Sequence, residues 1–220
     1  MKTNKLSIPP PCHPTWNRYE DYLRSEVHEI IALGFAAARK RITASLHEEV
    51  ITQYIAESIQ GIFNSSQAPD FVDNYNLKEE SPINHTHHLG KNRKKTDLVI
   101  EHQHAGLRPR PWFIFESKRL KTPSNTVAKY CGNSGIERFV DCRYASAYPE
   151  AGMLAYVQSD DIKTWETRLL SKLKKSKKLF LKLPVSRVNI VKMFTDEWHT
   201  RHHRLNGQSI DIYHILLDCR

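Results

Sequence analysis

TDLVIEHQHAGLRPRPWFIFESK, residues 96–118, contains two short apolar runs that predict a pair of neighbouring β-strands. The runs, residues 97–100 and 112–115, flank a segment rich in Pro, Gly and His, which is typical of the connection in a hairpin. Three ionisable side chains lie on or directly after these runs: Asp97, Glu116 and Lys118. The sequence therefore predicts two apolar strands that carry charged groups.

The charges on the second strand should lie side by side. Successive side chains of a strand alternate between its faces, so Glu116 and Lys118 should point the same way as Ile114, and Ser117 the other way. Charged groups taken out of water cost several kcal/mol unless they are paired or bound to a metal. Such a pair on an apolar strand needs a chemical explanation.

Two explanations fit this arrangement. Carboxylates on adjacent strands make an oxygen site suited to Mg²⁺, and a lysine beside them can position or deprotonate water or neutralise a phosphate. The alternative is a solvated edge strand with a surface ion pair. A Glu-x-Lys triplet is expected about once by chance in a chain of this length. We favour the metal site because residues 116–118 form the only such triplet here, at the end of an apolar strand.

These residues resemble the motif of the PD-(D/E)xK nucleases, the family that includes many restriction endonucleases, resolvases and repair nucleases. The matching residues are Asp97 and the triplet Glu116-Ser117-Lys118, whereas Thr96 replaces the Pro of the family's name. The resemblance covers about residues 45–157. It implies an α/β fold with a mixed central sheet flanked by helices, in the order α-β-β-β-α-β, with an N-terminal helix and C-terminal strands as extensions.

The resemblance also implies a role for each site residue. Asp97 and Glu116 would hold Mg²⁺, with Mn²⁺ as a substitute, and the backbone carbonyl of Ser117 would be a further ligand. Lys118 would orient or activate the attacking water and stabilise the charge that develops on the phosphate. Asp97, Glu116 and Lys118 are the candidate catalytic residues of a divalent-metal-dependent nuclease that hydrolyses phosphodiester bonds.

Glu48 is a further candidate for the metal site. Residues 46–63 predict an amphipathic helix, and at about 100° per residue Glu48 lies at the edge of its apolar stripe, with Glu49 almost opposite. The resembled family often takes an acidic residue from this helix, so Glu48 would serve the metal through a water. Residues 45–48, Ser-Leu-His-Glu, equally form a capping box in which Glu48 returns to the cap amide. The sequence leaves both interpretations open.

Three other motifs compete with this assignment. Asp161-Ile162-Lys163 has Asp-x-Lys spacing, but it precedes an amphipathic run over about residues 160–176 and is better explained as a helix N-cap. Pro69-Asp70 lies in a polar linker far from Glu116. His85-Thr86-His87-His88 suggests zinc, but without a nearby Cys or a helical pair of ligands we favour a surface loop.

The composition favours a single domain with a polyanionic partner. The 220 residues predict a domain over residues 15–220, preceded by a flexible proline-rich arm over residues 1–14. Lys and Arg number 33 against 24 Asp and Glu, a net charge of +9, which suits nucleic acid. We expect DNA in preference to RNA. The basic residues that lead into Asp97 are candidate phosphate contacts: Lys91, Arg93, Lys94 and Lys95.

Location and assembly can be predicted only in outline. No run approaches 18 apolar residues and the N-terminus has no apolar signal region, so we expect a cytoplasmic protein without a membrane span. The four cysteines are dispersed without Cys-x-x-Cys spacing, which favours reduced thiols. A homodimer, or a subunit of a larger nuclease or antiviral defence complex, would suit a chain of this size.

The remaining elements are predicted from periodicity. Residues 16–39 predict a helix with His28 on its solvated face, and residues 127–144 a helix or helix pair interrupted by glycines. We expect Tyr130, Arg138 and Arg143 to face solvent. The alternative is that they contact nucleic acid.

Strands are predicted over residues 75–79, 151–157, 188–194 and 210–217. The basic and aromatic segment 198–204 is interpreted as a loop that contacts nucleic acid.

Two other functions remain open. A non-catalytic nucleic-acid-binding or adaptor subunit could keep the nuclease fold, although all expected site residues are present. A zinc protein built on the histidine cluster would contain stoichiometric zinc. The sequence favours the nuclease, of the restriction, defence or repair type.

Overall fold

The structure, a computed structural model, describes residues 14–82, 95–103, 110–124, 126–194 and 196–220. The helices in these ranges are α1 (Pro14–Ala38), α2 (Glu48–Phe63), α3 (Thr126–Cys131), α4 (Glu137–Val140) and α5 (Ile162–Lys175). The strands are β1 (Tyr75–Pro82), β2 (Lys95–His102), β3 (Trp112–Leu120), β4 (Glu150–Val157), β5 (Leu181–Val188), β6 (Glu197–His203) and β7 (Ser209–Asp218).

The strands form one mixed sheet in the order β1-β2-β3-β4-β7-β6-β5. β4 is parallel to both β3 and β7, whereas the other neighbours are antiparallel. Every residue of β4 is buried, as expected for a parallel strand covered on both faces. β3 lies between β2 and β4, in the interior of the sheet.

Helices cover both faces of the sheet. α1 and α2 pack on the face that carries Leu98, Phe113 and Phe115. α3, α4 and α5 pack on the opposite face, which carries Val99 and Ile114. The prediction of an α/β fold with a mixed sheet between helices is confirmed, and the alternation predicted along residues 113–118 places Glu116 and Lys118 on the second face.

The predicted hairpin is present as β2 and β3, which pair from Glu101 with Trp112 to Leu98 with Phe115. β1 extends the antiparallel pairing and is longer than the predicted strand over residues 75–79. The predicted helix pair over residues 127–144 is confirmed as the short helices α3 and α4. The connections of these elements bring α2, β2 and β3 together at one end of the sheet.

The prediction for the C-terminal strands is partly wrong. β7 lies where a strand was expected, but β5 covers Leu181–Val188 rather than residues 188–194. Pro184 lowers the strand signal of this run, yet an edge strand tolerates a missing N–H, and β5 forms an edge of the sheet. Residues 198–204 are not a loop, because most of them belong to β6. The alternation in β6 is hidden from hydropathy because its inward side chains include Thr200 and His202.

Two further residues differ from their predicted positions. His28 is fully buried, against the equally buried carboxylate of Glu197, rather than on a solvated face of α1. Tyr130 is fully buried as well, and its hydroxyl lies 2.7 Å from His214 Nδ1. Polar side chains therefore enter the core beside partners that are remote in sequence, which a local apolar pattern does not reveal.

Among the residues that the structure describes, no helix has both the length and the apolarity to cross a membrane. Cys131, Cys142 and Cys219 are free thiols. Burial raises the pKa of the Cys131 and Cys219 thiols to about 12, so both are protonated at neutral pH.

Candidate active site

Asp97 and Glu116 lie where the pairing of β2 with β3 ends. The last paired residues are Leu98 and Phe115, so the next residue of each strand carries one of the two carboxylates. Asp97 Oδ2 accepts a hydrogen bond of 2.6 Å from the backbone N–H of Ser117. The end of the hairpin thus brings two predicted site residues onto the same face of the sheet.

The ammonium group of Lys118 lies at the centre of the site. Lys118 Nζ donates to Glu116 Oε1 and to Glu48 Oε1, both at 2.9 Å, and to the carbonyl oxygen of Ser117 at 2.5 Å. Three of the four residues predicted to bind a metal therefore contribute an oxygen to one cation. Asp97, the fourth, does not bond to Lys118 and is turned towards the Ser117 amide.

The structure distinguishes between the two interpretations of Glu48. His47 is the N-cap residue of α2 and makes no capping hydrogen bond through its side chain. The Glu48 carboxylate does not return to the cap, because Oε1 bonds to Lys118 and Oε2 accepts from the Arg119 N–H at 2.9 Å. Glu49 is exposed. The capping-box interpretation is wrong, and helical phase identified the acidic residue that joins the site.

Burial excludes the surface ion pair as an explanation for these charges. The side chains of Glu116 and Lys118 are only 2% and 10% exposed, on an interior strand. Burial, and then the nearby charge of Asp97, raise the pKa of Glu116 to about 7. Burial likewise raises the pKa of Asp97. Carboxyl groups whose pKa is shifted by burial and by a neighbouring charge are typical of functional sites.

Lys118 responds in the opposite way to the same surroundings. Burial alone lowers the pKa of its ammonium group, but the carboxylates of Glu116, Glu48 and Asp97 outweigh that effect and the pKa is raised. Lys118 is therefore a cation at neutral pH. In this arrangement it can donate hydrogen bonds and offset negative charge, but it cannot accept a proton.

A chain of hydroxyl groups connects α2 to β3 below the site. Tyr156 donates to Ser117 Oγ at 3.1 Å, and its hydroxyl lies 2.9 Å from Thr52 Oγ1. Thr52 lies one turn after Glu48 and contacts the Glu48 carbonyl oxygen at 3.0 Å. These bonds fix the first turn of α2, and with it the Glu48 carboxylate, relative to Ser117. From the sequence, Tyr156 is predicted only as part of a buried strand.

Two more side chains reach the site from the α4 region. Arg138 Nη1 donates to Glu116 Oε1 at 3.0 Å and to the Tyr144 hydroxyl at 2.5 Å. Tyr144 in turn donates to the carbonyl oxygen of Lys95 at 2.5 Å. The prediction of a solvent-facing Arg138 is thus wrong in part, and Tyr144 was not predicted as a site residue at all.

The predicted phosphate contacts lie mostly outside the described residues. Lys91, Arg93 and Lys94 lie outside them, and so does the histidine cluster of residues 85–88 that suggested zinc. Lys95 begins β2, and its exposed ammonium group forms an ion pair with Glu80. Lys95 therefore places a positive charge at the start of β2, two residues before Asp97.

Two of the three competing motifs, those of Asp161 and Asp70, have structural roles. Asp161 is the N-cap of α5 and accepts a hydrogen bond of 2.7 Å from the Thr164 N–H, as predicted. Asp70 begins a short 3₁₀ helix that leads into β1. Neither residue contacts Lys118.

The donors of the site are those that Mg²⁺ prefers, namely carboxylate and carbonyl oxygens. Glu116 Oε2 is buried without a hydrogen-bond partner among the described residues, so one carboxylate oxygen is free to bind a cation. Lys118 Nζ already takes the place of a cation among Glu48, Glu116 and Ser117. In the described part of the chain, no three His, Cys, Asp or Glu side chains are close enough to form a metal centre by themselves. The donor set fits Mg²⁺ in its chemistry, and binding would require Lys118 to move away from the carboxylates.

Comparison of the chain with protein-family models, curated proteins and solved structures gave no match.

Proposed function

We propose that this protein is a divalent-metal-dependent nuclease that hydrolyses phosphodiester bonds, in DNA rather than RNA. The observation that carries the proposal is the contact of Lys118 with the oxygens of Glu48, Glu116 and Ser117, inside a sheet and beside Asp97. Buried groups of opposite charge from separate elements are costly to assemble for stability alone. A chemical function explains their presence, and the net charge of +9 suits a polyanionic substrate.

Asp97, Glu116, Glu48 and the carbonyl of Ser117 would hold the Mg²⁺ ion. The ion would supply a Lewis acid that polarises the phosphate and orients water and leaving group. In support of this set, Glu116 and Ser117 belong to β3, Asp97 accepts from the Ser117 amide, and Glu48 reaches Lys118 from α2. Glu116 and Ser117 are buried, which strengthens the electrostatic interactions that they make within the site.

Lys118 would act as a fixed positive charge beside the reacting phosphate. As an ammonium group it would donate a hydrogen bond to a non-bridging oxygen and stabilise the charge that develops during attack. Removal of its carboxylate contacts by metal binding would free its N–H groups for substrate. Restriction, defence and repair systems all use nucleases of this chemistry, and we propose no choice among them.

The proposal is tested by incubation of the full chain with plasmid, linear duplex DNA, single-stranded DNA and RNA, each with Mg²⁺, Mn²⁺ or EDTA. We expect cleavage of DNA with either metal and none with EDTA. Asp97→Ala, Glu116→Ala and Lys118→Ala should each lower turnover at least ~100-fold, on the order of 3 kcal/mol of barrier. Lys163→Ala is the matched control, because Lys163 is the exposed lysine of the competing Asp-x-Lys motif.

Normal turnover by Glu116→Ala, or equal losses for Lys118→Ala and Lys163→Ala, would contradict this assignment. Binding of DNA without cleavage under every metal condition would instead favour the non-catalytic adaptor.

A further inference from the structure

Arg138 approaches the candidate active site from the face opposite α2. Its guanidinium group contacts Glu116 Oε1 and Tyr144 through Nη1, and Nε donates to the carbonyl oxygen of Asn133 at 3.2 Å. Nη2 makes no hydrogen bond within the described part of the chain, and the side chain is 22% exposed. Nε and Nη1 are therefore held by the protein, whereas the two N–H groups of Nη2 have no hydrogen-bond partner among the described residues.

The bonds of Nε and Nη1 fix the orientation of the guanidinium group. The Tyr144 hydroxyl accepts from Arg138 and donates to the Lys95 carbonyl, so it ties α4 to the start of β2. The Arg138 guanidinium carbon also lies 5.0 Å from the centre of the Tyr144 ring, a cation–π distance. A long side chain held at several points loses little further entropy when it binds a ligand.

The charge balance at Glu116 indicates that Arg138 does more than neutralise it. Glu116 Oε1 already receives Lys118, at 2.9 Å, so Arg138 is a second cation on the same oxygen while Oε2 has no hydrogen-bond partner among the described residues. With a divalent ion bound, the positive charges of the ion, Lys118 and Arg138 would outnumber the carboxylates of Glu48, Asp97 and Glu116. A planar donor group next to such an excess matches the oxygens of a phosphate.

We propose that Arg138 is a phosphate-binding residue of this site, which contacts a non-bridging oxygen of one nucleic-acid phosphate through Nη2 and is oriented for it by Tyr144. This inference rests on the proposed nuclease function and specifies its substrate contact. It assigns the face of α4 as the surface that receives the backbone next to the scissile bond.

The test measures the coupling of Arg138 to individual phosphates. Duplex oligonucleotides carry a single neutral methylphosphonate at successive positions around the mapped cleavage site, and their affinities are measured in Ca²⁺ for wild type and Arg138→Gln. We expect Arg138→Gln to weaken the unmodified duplex about 10-fold and to lower the slope of log affinity against log salt by about 0.9. At one phosphate position, Arg138→Gln should not weaken binding any further, because the methylphosphonate has already removed the charge that Arg138 recognises.

Two further variants separate this contact from a structural role. Arg143→Gln removes the same charge from the adjacent segment, where Arg143 pairs with Asp141, and should leave slope and coupling unchanged. Tyr144→Phe keeps the Arg138 charge but removes its anchor. Tyr144→Phe should bind the duplex more weakly, and the coupling between the protein and the methylphosphonate should remain at the same phosphate position. If Arg138→Gln does not fold, as judged by its unfolding transition, Tyr144→Phe takes its place in the test. The proposal then depends on whether the effect of Tyr144→Phe on affinity is coupled to one phosphate position.

A uniform effect of Arg138→Gln at all positions, or no effect, would overturn the proposal while leaving the nuclease function intact if wild type cleaves. An inactive wild type would overturn the proposed function. The phosphate contact of Arg138 would then be tested only by the slope of log affinity against log salt, compared between wild type and Arg138→Gln.

Discussion

Glu48 and Glu49 are adjacent in sequence, but their side chains have different surroundings. Glu48 bonds to the Lys118 ammonium and the Arg119 amide, whereas Glu49 is exposed. Their separation by one residue turns them by about 100° around α2, which is enough to place one in the site and the other in solvent. A functional difference between two neighbouring glutamates is therefore expected.

Glu48→Gln should reduce cleavage at low Mg²⁺, with partial recovery at higher Mg²⁺, because the amide keeps one oxygen but loses the negative charge that attracts the ion. Glu49→Gln is the matched control and should cleave normally. The measurement is initial rate against Mg²⁺ concentration. Normal cleavage by Glu48→Gln together with loss in Glu49→Gln would show that the wrong glutamate was assigned.

Tyr156 is the second residue with a specific expectation, because its hydroxyl joins Thr52 to Ser117 in a fully buried position. Tyr156→Phe removes that hydroxyl and leaves two buried partners without it, which should cost about 1–3 kcal/mol in the free energy of unfolding. Tyr22→Phe is the same change at an exposed position of α1 and should be within about 0.5 kcal/mol of wild type. Denaturant unfolding measures both, and equal stabilities would contradict a structural role for the chain of hydroxyls.

At the scale of elements, β6 and β7 are connected by a buried chain of hydrogen bonds. His202 Nδ1 lies 2.6 Å from the Leu179 carbonyl oxygen, and His202 Nε2 lies 2.8 Å from Thr200 Oγ1. Thr200 Oγ1 is also 2.8 Å from His214 Nε2, and His214 Nδ1 is 2.7 Å from the Tyr130 hydroxyl. The chain starts at α3, passes through both strands and ends next to β5.

The carbonyl at one end determines every proton in this chain. A carbonyl only accepts, so His202 must donate from Nδ1 and accept at Nε2, and Thr200 must donate to it. Thr200 then accepts from His214 Nε2, and Tyr130 donates to His214 Nδ1. We predict that His202 is the Nδ1–H tautomer and His214 the Nε2–H tautomer. Nitrogen chemical shifts at neutral pH measure this, and the same tautomer at both sites would contradict the assignment.

The same chain predicts how stability depends on pH. Burial lowers the pKa of His202 to about 4, from an ordinary value of 6.5, and lowers the pKa of His214 as well. Because the folded pKa is depressed, the contribution of His202 is complete above pH 6.5 and is lost as the pH falls towards 4, by on the order of 3 kcal/mol. Urea unfolding between pH 4 and 8 should show this decline, and it should be smaller in His202→Gln. His203→Gln, at an exposed position of β6, should keep it.

At the scale of the whole molecule, the layer of α1 and α2 depends on one close approach between helices. A Cβ atom added at Gly34 would lie too close to the side chain of Ile59, whereas one added at Gly61 would meet nothing. Gly34 therefore allows α1 to pack closely on α2, which carries Glu48. The position of Glu48, and so of the candidate site, relative to the rest of the core therefore depends on the packing of α1 against α2.

Gly34→Ala should lower the free energy of unfolding by about 1–3 kcal/mol because the core is overpacked. Gly61→Ala makes the same change on the open surface of a helix and should raise it by up to about 1 kcal/mol. Thermal or denaturant unfolding distinguishes them by the opposite signs of the effect. A stabilised Gly34→Ala would show that α1 and α2 are not in such close contact.

Local pattern was sufficient for much of the fold and for part of the candidate site. Residues 97–100 and 112–115 are strands because short apolar runs bounded by Pro and Gly favour extended backbone, and α2 is a helix because its apolar positions recur at the helical period. Alternation along β3 placed Glu116 and Lys118 on one face before any fold was known. Each of these signals is carried by residues close together in sequence.

The sequence by itself thus determined the hairpin, the helices, the α/β class and the candidate residues Asp97, Glu116 and Lys118. Only the tertiary structure decided between the two roles of Glu48, brought Arg138 and Tyr144 to Glu116, and placed His28, His202 and His214 in the core. The reason is physical. Apolar periodicity reports the burial of neighbouring residues, whereas a buried charge or imidazole is stabilised by hydrogen-bond partners that are remote in sequence and leave no local pattern.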